Sequence, residues 1–379
     1  MTKKVYQMCK RCVMDTSDPE ITFDEKGNCN HCDDFFKEYK DKIYHGEESD
    51  RQLEIIVNKI KQAKGKNKYD CLVGMSGGVD SSYVAYKAVQ LGLNPLAVHV
   101  DTGWDSEESV NNIKNVCNKL NIDYQSYVLN WEEFKDIQLS ILKSSIVEVE
   151  IPTDVAIIGA THKIASENNI KFNISGGNLA TEGILPYLWF YDPKDLKLLK
   201  SIQKRFGKNN LKSFPDFSYK KEIYYKLIRR IRLIYLLNYL PYSKEDAIRT
   251  LENEVNWKNY GGKHHESVYT RFVQSYFQPV KFNLDYRRAT FSTQICTGEI
   301  TREYALEELK NKPYDPEKIE AEKDYIAKKL GITLKEFEEI LSSPPKSYKD
   351  YPNNEKKLKF LYGVYKRYFS GYLSITDQN

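Results

Sequence analysis

The sequence predicts an α/β fold with a doubly wound parallel sheet, and two observations carry that prediction. From Tyr69 onward, short runs that are apolar on both faces alternate with helix-length segments, which is typical of buried parallel strands joined by crossover helices. Three of these runs end in polar glycine or acidic turns. Because ligands of such sheets bind at the carboxyl ends of the strands, we expect these turns to face one pocket: Ser76–Ser82, Asp101–Gly103 and Ser175–Asn178.

The elements of this domain follow in order along the chain. Strands are predicted at residues 69–75, 95–101, 124–129 and 171–178, and helices at 79–92, 106–120, 131–146 and 153–169. After Asn178 the alternation stops. The basic, aromatic segment 200–243 is helical in part, and we interpret it as an amphipathic connector whose apolar face packs. A membrane-surface or nucleic-acid helix is the alternative.

Length, charge and composition limit the classes of protein to which this chain could belong. The 379 residues suffice for two or three domains, and the formal net charge of +4 is too weak by itself to indicate nucleic-acid binding. No apolar run approaches the ~20 residues of a membrane span. The opening stretch MTKKVYQMCKRC shows no apolar signal segment, and the cysteine pattern favours a reducing compartment. We therefore expect a cytoplasmic protein.

Four cysteines near the start of the chain predict a metal site. Cys9 and Cys12 form one CxxC pair and Cys29 and Cys32 a second, and the sixteen residues between them are typical of a short hairpin. Two such pairs supply four thiolates to one tetrahedral ion, so we predict a ribbon that binds structural Zn²⁺. An iron–sulfur cluster or unrelated thiols are the alternatives. Since four thiolates fill the shell, His31 is not expected to be a ligand.

The turn after the first strand belongs to the stretch CLVGMSGGVDSS, residues 71–82, and predicts a site for phosphate groups. Gly77 and Gly78 allow backbone N–H groups to approach phosphate oxygens, and the N-terminus of the following helix favours negative charge. Asp80 can bind Mg²⁺ or orient the loop. The Gly-Lys-Ser/Thr ending that binds β- and γ-phosphates in a P-loop is absent. Three hydroxyl groups add hydrogen-bond donors: Ser76, Ser81 and Ser82.

A second polar cluster occupies residues 256–272. Lys263 and Arg271 are predicted to supply cations for a phosphate leaving group or a sugar acid, and His264, His265 or Glu266 to move protons. A metal site is disfavoured there, because adjacent histidines point in different directions and no HExxH spacing exists.

A third polar segment, CTGEITREYA, opens a helix at residue 301. Arg302 within it is either a further cation for the nucleotide or simple charge at a helix start. Cys71 and Cys117 lie in a predicted strand and a predicted helix, and we expect both in the core rather than as nucleophiles.

The loop SGGVDSS resembles the pyrophosphatase loop of the N-type ATP pyrophosphatases, the superfamily of GMP synthetase and asparagine synthetase, with an adenine nucleotide alpha hydrolase-like fold. The resemblance implies that ATP is cut between its α- and β-phosphates and that Asp101 lies near the adenosine, unless it caps the next helix. The residues then expected to bind ATP and Mg²⁺ are Ser76, Gly77, Gly78, Asp80, Ser81, Ser82, Asp101, Gly176, Gly177, Asn178 and Arg302.

Ordered segments along nearly the whole chain resemble a more specific family, the N-acetyl sugar amidotransferases, which include the pseudaminic-acid and related O-antigen enzymes. The segments are CKRCVMDTSDPEITFD with CNHC, SGGVDSSY, SGGNLATE, LNYLPYSKEDAI, WKNYGGKHHESVYTRF and GEITREYALEEL. We divide the chain into a zinc ribbon (1–40), a helical linker (41–68), an ATP pyrophosphatase domain (69–200) and a mainly helical substrate-binding region (201–379).

The resemblance implies that a sugar N-acetyl group becomes an acetamidino group in the biosynthesis of a bacterial surface glycan, on lipopolysaccharide or flagellin. The amide oxygen would attack the α-phosphate of ATP, and ammonia would displace AMP from the O-adenylyl imidate. No glutaminase signature is found in the chain, so ammonia is expected from a separate glutaminase subunit docked on the ribbon or on tyrosine-rich helices. A pseudaminic-acid sugar, free or CMP-linked, is favoured.

Two other functions are alternatives for this sequence. A tRNA-thiolating enzyme uses a similar ATP loop, in some cases alongside zinc CxxC pairs, but it needs reactive cysteines or an iron–sulfur cluster near that loop. Only Cys71, Cys117 and Cys296 remain outside the CxxC pairs, and the low net charge disfavours tRNA. A non-catalytic nucleotide-binding scaffold is disfavoured by the intact loop beside the cluster at residues 256–272.

Overall fold

The computed structural model describes residues 5–261 and 266–369. Its centre is a five-stranded sheet with the order β3-β2-β1-β4-β5, in which every neighbouring pair is parallel. The order reverses between β1 and β4, which is where ligands bind in sheets of this type. The strands are β1 (Cys71–Gly74), β2 (Pro95–Asp101), β3 (Asp123–Val128), β4 (Phe172–Ser175) and β5 (Arg232–Tyr235).

Helices join and surround these strands, and α3 to α6 confirm the four helices that the sequence predicts. The helices are α1 (Asn30–Lys42), α2 (Gly46–Lys64), α3 (Val79–Gln90), α4 (Glu107–Leu120), α5 (Trp131–Ser144), α6 (Ile151–Glu167), α7 (Leu179–Glu182), α8 (Leu196–Phe206), α9 (Tyr219–Ile223), α10 (Lys244–Val255), α11 (Val268–Phe272), α12 (Gln278–Phe282), α13 (Arg287–Thr297), α14 (Arg302–Glu308), α15 (Ile319–Leu330), α16 (Leu334–Ser342) and α17 (Glu355–Phe369).

Both faces of the sheet are covered at its centre, as the doubly apolar strands β1 and β2 require, whereas the edge strand β3 is largely exposed. Cys71 and Val73 of β1 belong to one buried cluster with side chains of α2, α3, α4 and α10. Leu72, which points the other way, packs in a second cluster with Ile164 and Ala165 of α6. Cys71 and Cys117 are both buried in the first of these clusters, and burial raises the pKa of the Cys117 thiol to about 11. The prediction that they are core residues is therefore confirmed.

The segment after residue 200 differs from its predicted form. Residues 232–235 form β5, which pairs with β4 in parallel, so the sheet extends beyond the predicted domain boundary at residue 200. Ahead of β5, Ile223, Leu227 and Ile228 are exposed. The packed apolar face predicted for this segment is therefore absent from residues 223–228, while Ile202 of α8, Phe217 and Ile234 of β5 are buried. Among the described residues, no helix combines the length and apolar character that crossing a membrane requires.

The C-terminal helices build their own core against the α/β domain. Tyr269 and Phe272 of α11 pack with Phe337 of α16 and with buried side chains of α5, α6 and α15. Backbone hydrogen bonds anchor the start of α11 to the carboxyl end of β2, since Val268 N–H donates to the Trp104 carbonyl at 2.9 Å. The mainly helical region therefore begins at the ligand-binding edge of the sheet.

Candidate active site and metal centre

The loop between β1 and α3, residues 75–78, is the phosphate loop, and hydrogen bonds of its own and adjacent serines stabilise its conformation. Ser76 Oγ accepts a hydrogen bond from Gly78 N at 3.2 Å and lies 3.1 Å from Ser81 Oγ. Ser81 Oγ also donates to the Gly78 carbonyl at 3.2 Å. Ser82 is fully buried, and its hydroxyl has no hydrogen-bond partner among the described residues. Two of the three hydroxyl groups therefore organise the loop before any ligand binds.

Position 77 requires glycine, both because of its backbone conformation and because a Cβ atom would not fit there. Its φ of +81° lies in the left-handed region, and a Cβ there would stand 2.3 Å from the carbonyl oxygen of Ser109 in α4. The Gly77 carbonyl accepts a hydrogen bond from Trp257 Nε1 at 2.9 Å. A cradle lined by backbone, in which a Cβ cannot fit, suits the close approach of phosphate groups, so the loop fits a nucleotide.

Gly77→Ala is expected to cost about 3 kcal/mol or more of stability and to lower AMP formation at least about 100-fold, since the loop must leave its present path. Gly74→Ala is the matched control, because no atom lies within 4 Å of a Cβ at Gly74 and the residue ends the same strand. Thermal unfolding and AMP release should separate the two variants. Equal behaviour of both would contradict the account of the loop.

The turn that follows β4 lies against the phosphate loop. A Cβ at Gly176 would stand 2.8 Å from Ser81 N and 3.1 Å from Asp80 Cβ, so the two turns are in contact. Asn178 caps α7, since its side-chain oxygen accepts from Thr181 N at 2.9 Å. The expectation that the turns after β1 and β4 meet at one edge of the sheet is therefore met.

Asp101 ends β2, and its Oδ1 accepts a hydrogen bond from Gly103 N at 2.8 Å. The cap of α4 is Ser106, whose Oγ accepts from Ser109 N at 3.2 Å. The alternative that Asp101 caps this helix is therefore wrong. Its placement near an adenosine stays a prediction.

The polar cluster of the second half reaches the phosphate loop at both of its described ends. A Cβ at Gly78 would lie 3.4 Å from Tyr260 Oη and 3.7 Å from Glu266 Cδ. Glu266 is anchored through its carbonyl, which accepts from Ser106 N at 2.9 Å and from Ser109 Oγ at 3.2 Å. Three predicted residues between these ends lie outside the described residues: Lys263, His264 and His265.

Two predicted cations are engaged away from the loop. Arg271 pairs with Glu322 of α15 at 2.9 Å. Arg302 donates to the carbonyl oxygens of Cys9 at 2.9 Å and Cys12 at 3.0 Å. The guanidinium of Arg302 therefore stabilises the ribbon backbone, and its role as a nucleotide ligand stays a prediction.

Tyr242 is a site residue to which the sequence analysis gave no role. Its hydroxyl donates to Asp80 Oδ1. Burial raises the pKa of Tyr242 above its ordinary value, and the charge of Asp80 raises it further, so the phenol stays protonated and remains a donor. Tyr242 lies in the segment LNYLPYSKEDAI, which the family resemblance had marked without a chemical function.

His99 lies beneath the loop at the carboxyl end of β2. It is buried, with Nδ1 2.9 Å from the Met75 carbonyl and Nε2 3.3 Å from Asp105 Oδ2. Burial lowers the pKa of His99, but the hydrogen bond and charge of Asp105 outweigh that effect, so the pKa lies above its ordinary value. A central strand residue of this kind gives no local signal in the sequence.

The four ribbon cysteines converge as predicted. All four are buried, and their Sγ atoms lie within 4.8 Å of one another. The separations are 3.9 Å for Cys9–Cys32, 3.7 Å for Cys12–Cys29 and 3.6 Å for Cys29–Cys32. Four sulfurs around one tetrahedral ion at ~2.3 Å would be about 3.8 Å apart. The donor set therefore fits a single metal ion.

The surroundings tie this metal centre to the C-terminal helices. Val13 N donates to Ser292 Oγ of α13 at 3.2 Å, and Arg288 pairs with Asp15 at 3.0 Å. His31 is bonded to Asp18 at 2.7 Å and lies outside the cysteine group, in agreement with its predicted non-ligand status. Cys296 Sγ approaches Cys32 Sγ at 3.8 Å but is not one of the four converging thiols.

Two regions of the chain match known families. Residues 50–144, which include the phosphate loop, match NAD synthase. Together with the parallel sheet, this match supports the resemblance to the N-type ATP pyrophosphatase superfamily. Residues 266–376 match the family described as LPS biosynthesis protein WbpG-like, C-terminal domain. This second match supports the family that the ordered segments of the chain resemble.

Curated proteins similar to this chain are enzymes of a different kind, named as tRNA-modifying enzymes. The tRNA-specific 2-thiouridylases MnmA 1 of Thermoanaerobacter pseudethanolicus and MnmA 2 of Caldanaerobacter subterraneus are each 28% identical over 258 residues. The alignments cover 63% of this chain and 60% of each relative, so the chain spans about three fifths of the length of these relatives.

Solved structures give weaker likenesses. The U34-tRNA thiolase NcsA from Methanococcus maripaludis with its [4Fe-4S] cluster has a TM-score of 0.32 at 18% identity, covering 80% of this chain and 89% of that one. The NH3-dependent NAD synthetase from Campylobacter jejuni has a TM-score of 0.28 at 17% identity, covering 54% and 83%. At these TM-scores the likenesses carry no functional inference.

Proposed function

We propose that this chain is an ATP-dependent amidotransferase that converts the N-acetyl group of a sugar into an acetamidino group for a bacterial surface glycan. One observation carries the proposal. Glu266, the first residue of the WbpG-like match, lies over Gly78 of the phosphate loop. A sugar held by the WbpG-like region would therefore meet ATP at the loop.

The chemistry requires activation of an amide, whose carbon is a poor electrophile and whose oxygen is a poor leaving group. We propose that the sugar amide oxygen attacks the α-phosphate, so that pyrophosphate departs and an O-adenylyl imidate forms. The N–H groups of Gly77 and Gly78 and the N-terminus of α3 would stabilise the departing pyrophosphate. Mg²⁺ at Asp80 would neutralise charge on the phosphates.

The remaining predicted residues receive supporting roles in this proposal. Glu266 supplies the carboxyl group that the cluster places beside the loop, and Lys263, His264 and His265 precede it directly. They would bind the substrate's anionic groups and move protons. Arg271, paired with Glu322, would position α11 behind them. The site would also have to exclude water, which would only regenerate the amide.

We further propose that the ribbon binds zinc. Four sulfurs 3.6–3.9 Å apart surround one ion, whereas the cysteines of a four-iron cluster must reach the corners of a larger cube. Because all four positions are taken by thiolates, the zinc would have no open position for chemistry. Its role would be to join the ribbon to α13 and α14.

A tRNA-thiolating activity is the second candidate, favoured by the 28% identity to 2-thiouridylases. The positions of the cysteines count against it. Cys71 and Cys117 are buried in the core, and Cys296 lies beside the ribbon, hydrogen-bonded to Cys32. None of these three thiols is in contact with the phosphate loop in the described structure, where a sulfur-carrying residue would be needed.

An assay with ATP, ammonium and N-acetylated sugars, free and nucleotide-linked, tests the proposal. Pseudaminic-acid sugars are the substrates we favour. The product should be about one mass unit lighter than the sugar, because oxygen is exchanged for NH, with one AMP formed per product. Glutamine should replace ammonium only when a separate glutaminase is added. ATP cleavage that depends on tRNA and a sulfur donor would instead support thiolation.

A further inference from the structure

The helical segment that precedes β5 turns its apolar side chains outward. It consists of α9 and the π-helical turn after it, residues 219–228. Its one acidic residue, Glu222, is only 8% exposed, whereas four large apolar side chains are 39–70% exposed: Ile223, Tyr224, Leu227 and Ile228. A helix that faces water has the opposite arrangement, with the apolar stripe inward and the charges outward. The outer face of this segment is therefore suited to apolar surroundings.

The four apolar side chains share one face with basic residues. Residues three or four positions apart are neighbours on a helix surface, and the four apolar positions are spaced in this way. Lys220 and Lys221 precede them by the same interval, and both lysines are exposed. Lys221 also pairs with Asp216. Apolar and basic side chains therefore form one continuous surface, which we call the basic apolar face, residues 220–230.

Positive charge is concentrated in and around the basic apolar face. Residues 219–232 include six basic residues and one acidic residue, a net charge of +5, whereas the whole chain carries +4. Lys220 and Arg230 are exposed and have no ion-pair partner among the described residues. Lys171 lies beside them, and its pKa is lowered by burial and by the charges of Arg229 and Arg230. The face therefore has a positive potential that the rest of the chain does not share.

The basic apolar face lies at the edge of the sheet opposite to the phosphate loop. It leads directly into β5, where Arg232 N donates to the carbonyl of Lys171, just before β4, at 2.9 Å. The face therefore borders the amino ends of β4 and β5. The phosphate loop follows the carboxyl end of β1, and these strands are parallel. A partner bound at residues 220–230 would leave the ATP site accessible.

An anionic lipid surface is the partner that fits this combination. Aliphatic side chains enter the boundary between head groups and acyl chains, while lysine and arginine side chains are attracted to anionic head groups. A second copy of the chain fits less well, because a twofold contact would bring two segments of charge +5 together. Nucleic acid also fits less well, because its bases stack on aromatic side chains and gain little from exposed isoleucine and leucine.

We propose that the basic apolar face binds the chain to the surface of anionic membranes, with Leu227 and Ile228 among the lipids and Lys220 and Arg230 at the head groups. The contact is peripheral and reversible, because one short helical segment supplies far less apolar area than a membrane span. It does not depend on the proposed sugar reaction, so the failure of one leaves the other standing.

Co-sedimentation of the full chain with lipid vesicles tests the proposal. Vesicles of phosphatidylcholine with about 40% phosphatidylglycerol should bind at least about tenfold more protein than vesicles of phosphatidylcholine alone. The double variant Leu227→Ser, Ile228→Ser should bind at least about fivefold less, and so should Lys220→Glu. The matched control is Val280→Ser, Leu334→Ser, which changes two exposed apolar residues on α12 and α16 and should bind like the wild type. All variants should keep the wild-type Tm, because the changed side chains are exposed.

Three results would overturn the membrane contact. The first is equal binding to both kinds of vesicle, or unchanged binding by the double variant at residues 227 and 228. The second is binding to RNA or heparin as strong as to the anionic vesicles, since charge alone would then explain the affinity. The third is a wild-type dimer that this double variant converts to a monomer, because the face would then join two copies of the chain.

Discussion

Asp80→Asn is expected to lower AMP formation by about 100- to 1000-fold while leaving the metal content of the ribbon unchanged. A carboxylate in the first turn of α3 would repel the anionic phosphates that the loop receives, unless a cation lies between them. Asparagine keeps the size of the side chain and an acceptor for the Tyr242 hydroxyl, but it removes the charge that binds Mg²⁺. The measurement is AMP release with saturating ATP, alongside elemental analysis for zinc.

Tyr242→Phe is the matched comparison for Asp80→Asn. It removes the hydroxyl that donates to Asp80 and keeps the carboxylate, so the loss should be about tenfold, the value of one hydrogen bond to a charged group. Similar losses in both variants would mean that Asp80 acts by orienting the loop and not by binding the cation. Full activity of Asp80→Asn would contradict its assignment to the site.

Cys29→Ser should eliminate bound zinc and loosen the N-terminal ribbon. Metal binding supplies about 10 kcal/mol or more of folding free energy in small zinc domains, and a segment of this length builds little core by itself. Without the ion, the contacts from Arg288, Ser292 and Arg302 to the ribbon should also be lost. Zinc content and the protease sensitivity of the first 40 residues measure the effect.

Cys296→Ser is the control for the cysteine prediction. Cys296 lies 3.8 Å from Cys32 but outside the four converging thiols, so this variant should retain one zinc per chain and a protected ribbon. Loss of the metal in Cys296→Ser, or its retention in Cys29→Ser, would show that the four assigned sulfurs are not the ligand set.

The features that sequence reasoning found are those encoded by neighbouring residues. The spacing of two CxxC pairs predicts that their four thiols converge, and they do. A Ser-Gly-Gly sequence after an apolar strand likewise predicts a tight turn, and Gly77 adopts the left-handed conformation there. No local pattern predicts the contact between the loop and Glu266, because Gly78 and Glu266 lie 188 positions apart in the sequence. Only the family resemblance indicated that both segments serve one site.

The features that were missed depend on contacts between distant segments. β5 has four residues in a basic, aromatic stretch, and only its pairing with β4 makes it a strand. Arg302 has a long side chain whose direction no local pattern decides, and it turns to the ribbon.

The most direct test of the proposed reaction follows the amide oxygen. An N-acetyl sugar labelled with ¹⁸O in its acetyl carbonyl should transfer that oxygen to AMP, because the amide oxygen attacks the α-phosphate and leaves with it. The pyrophosphate should be unlabelled. Label in pyrophosphate or phosphate, or label kept in the sugar while ATP is consumed, would contradict activation of the amide by adenylylation.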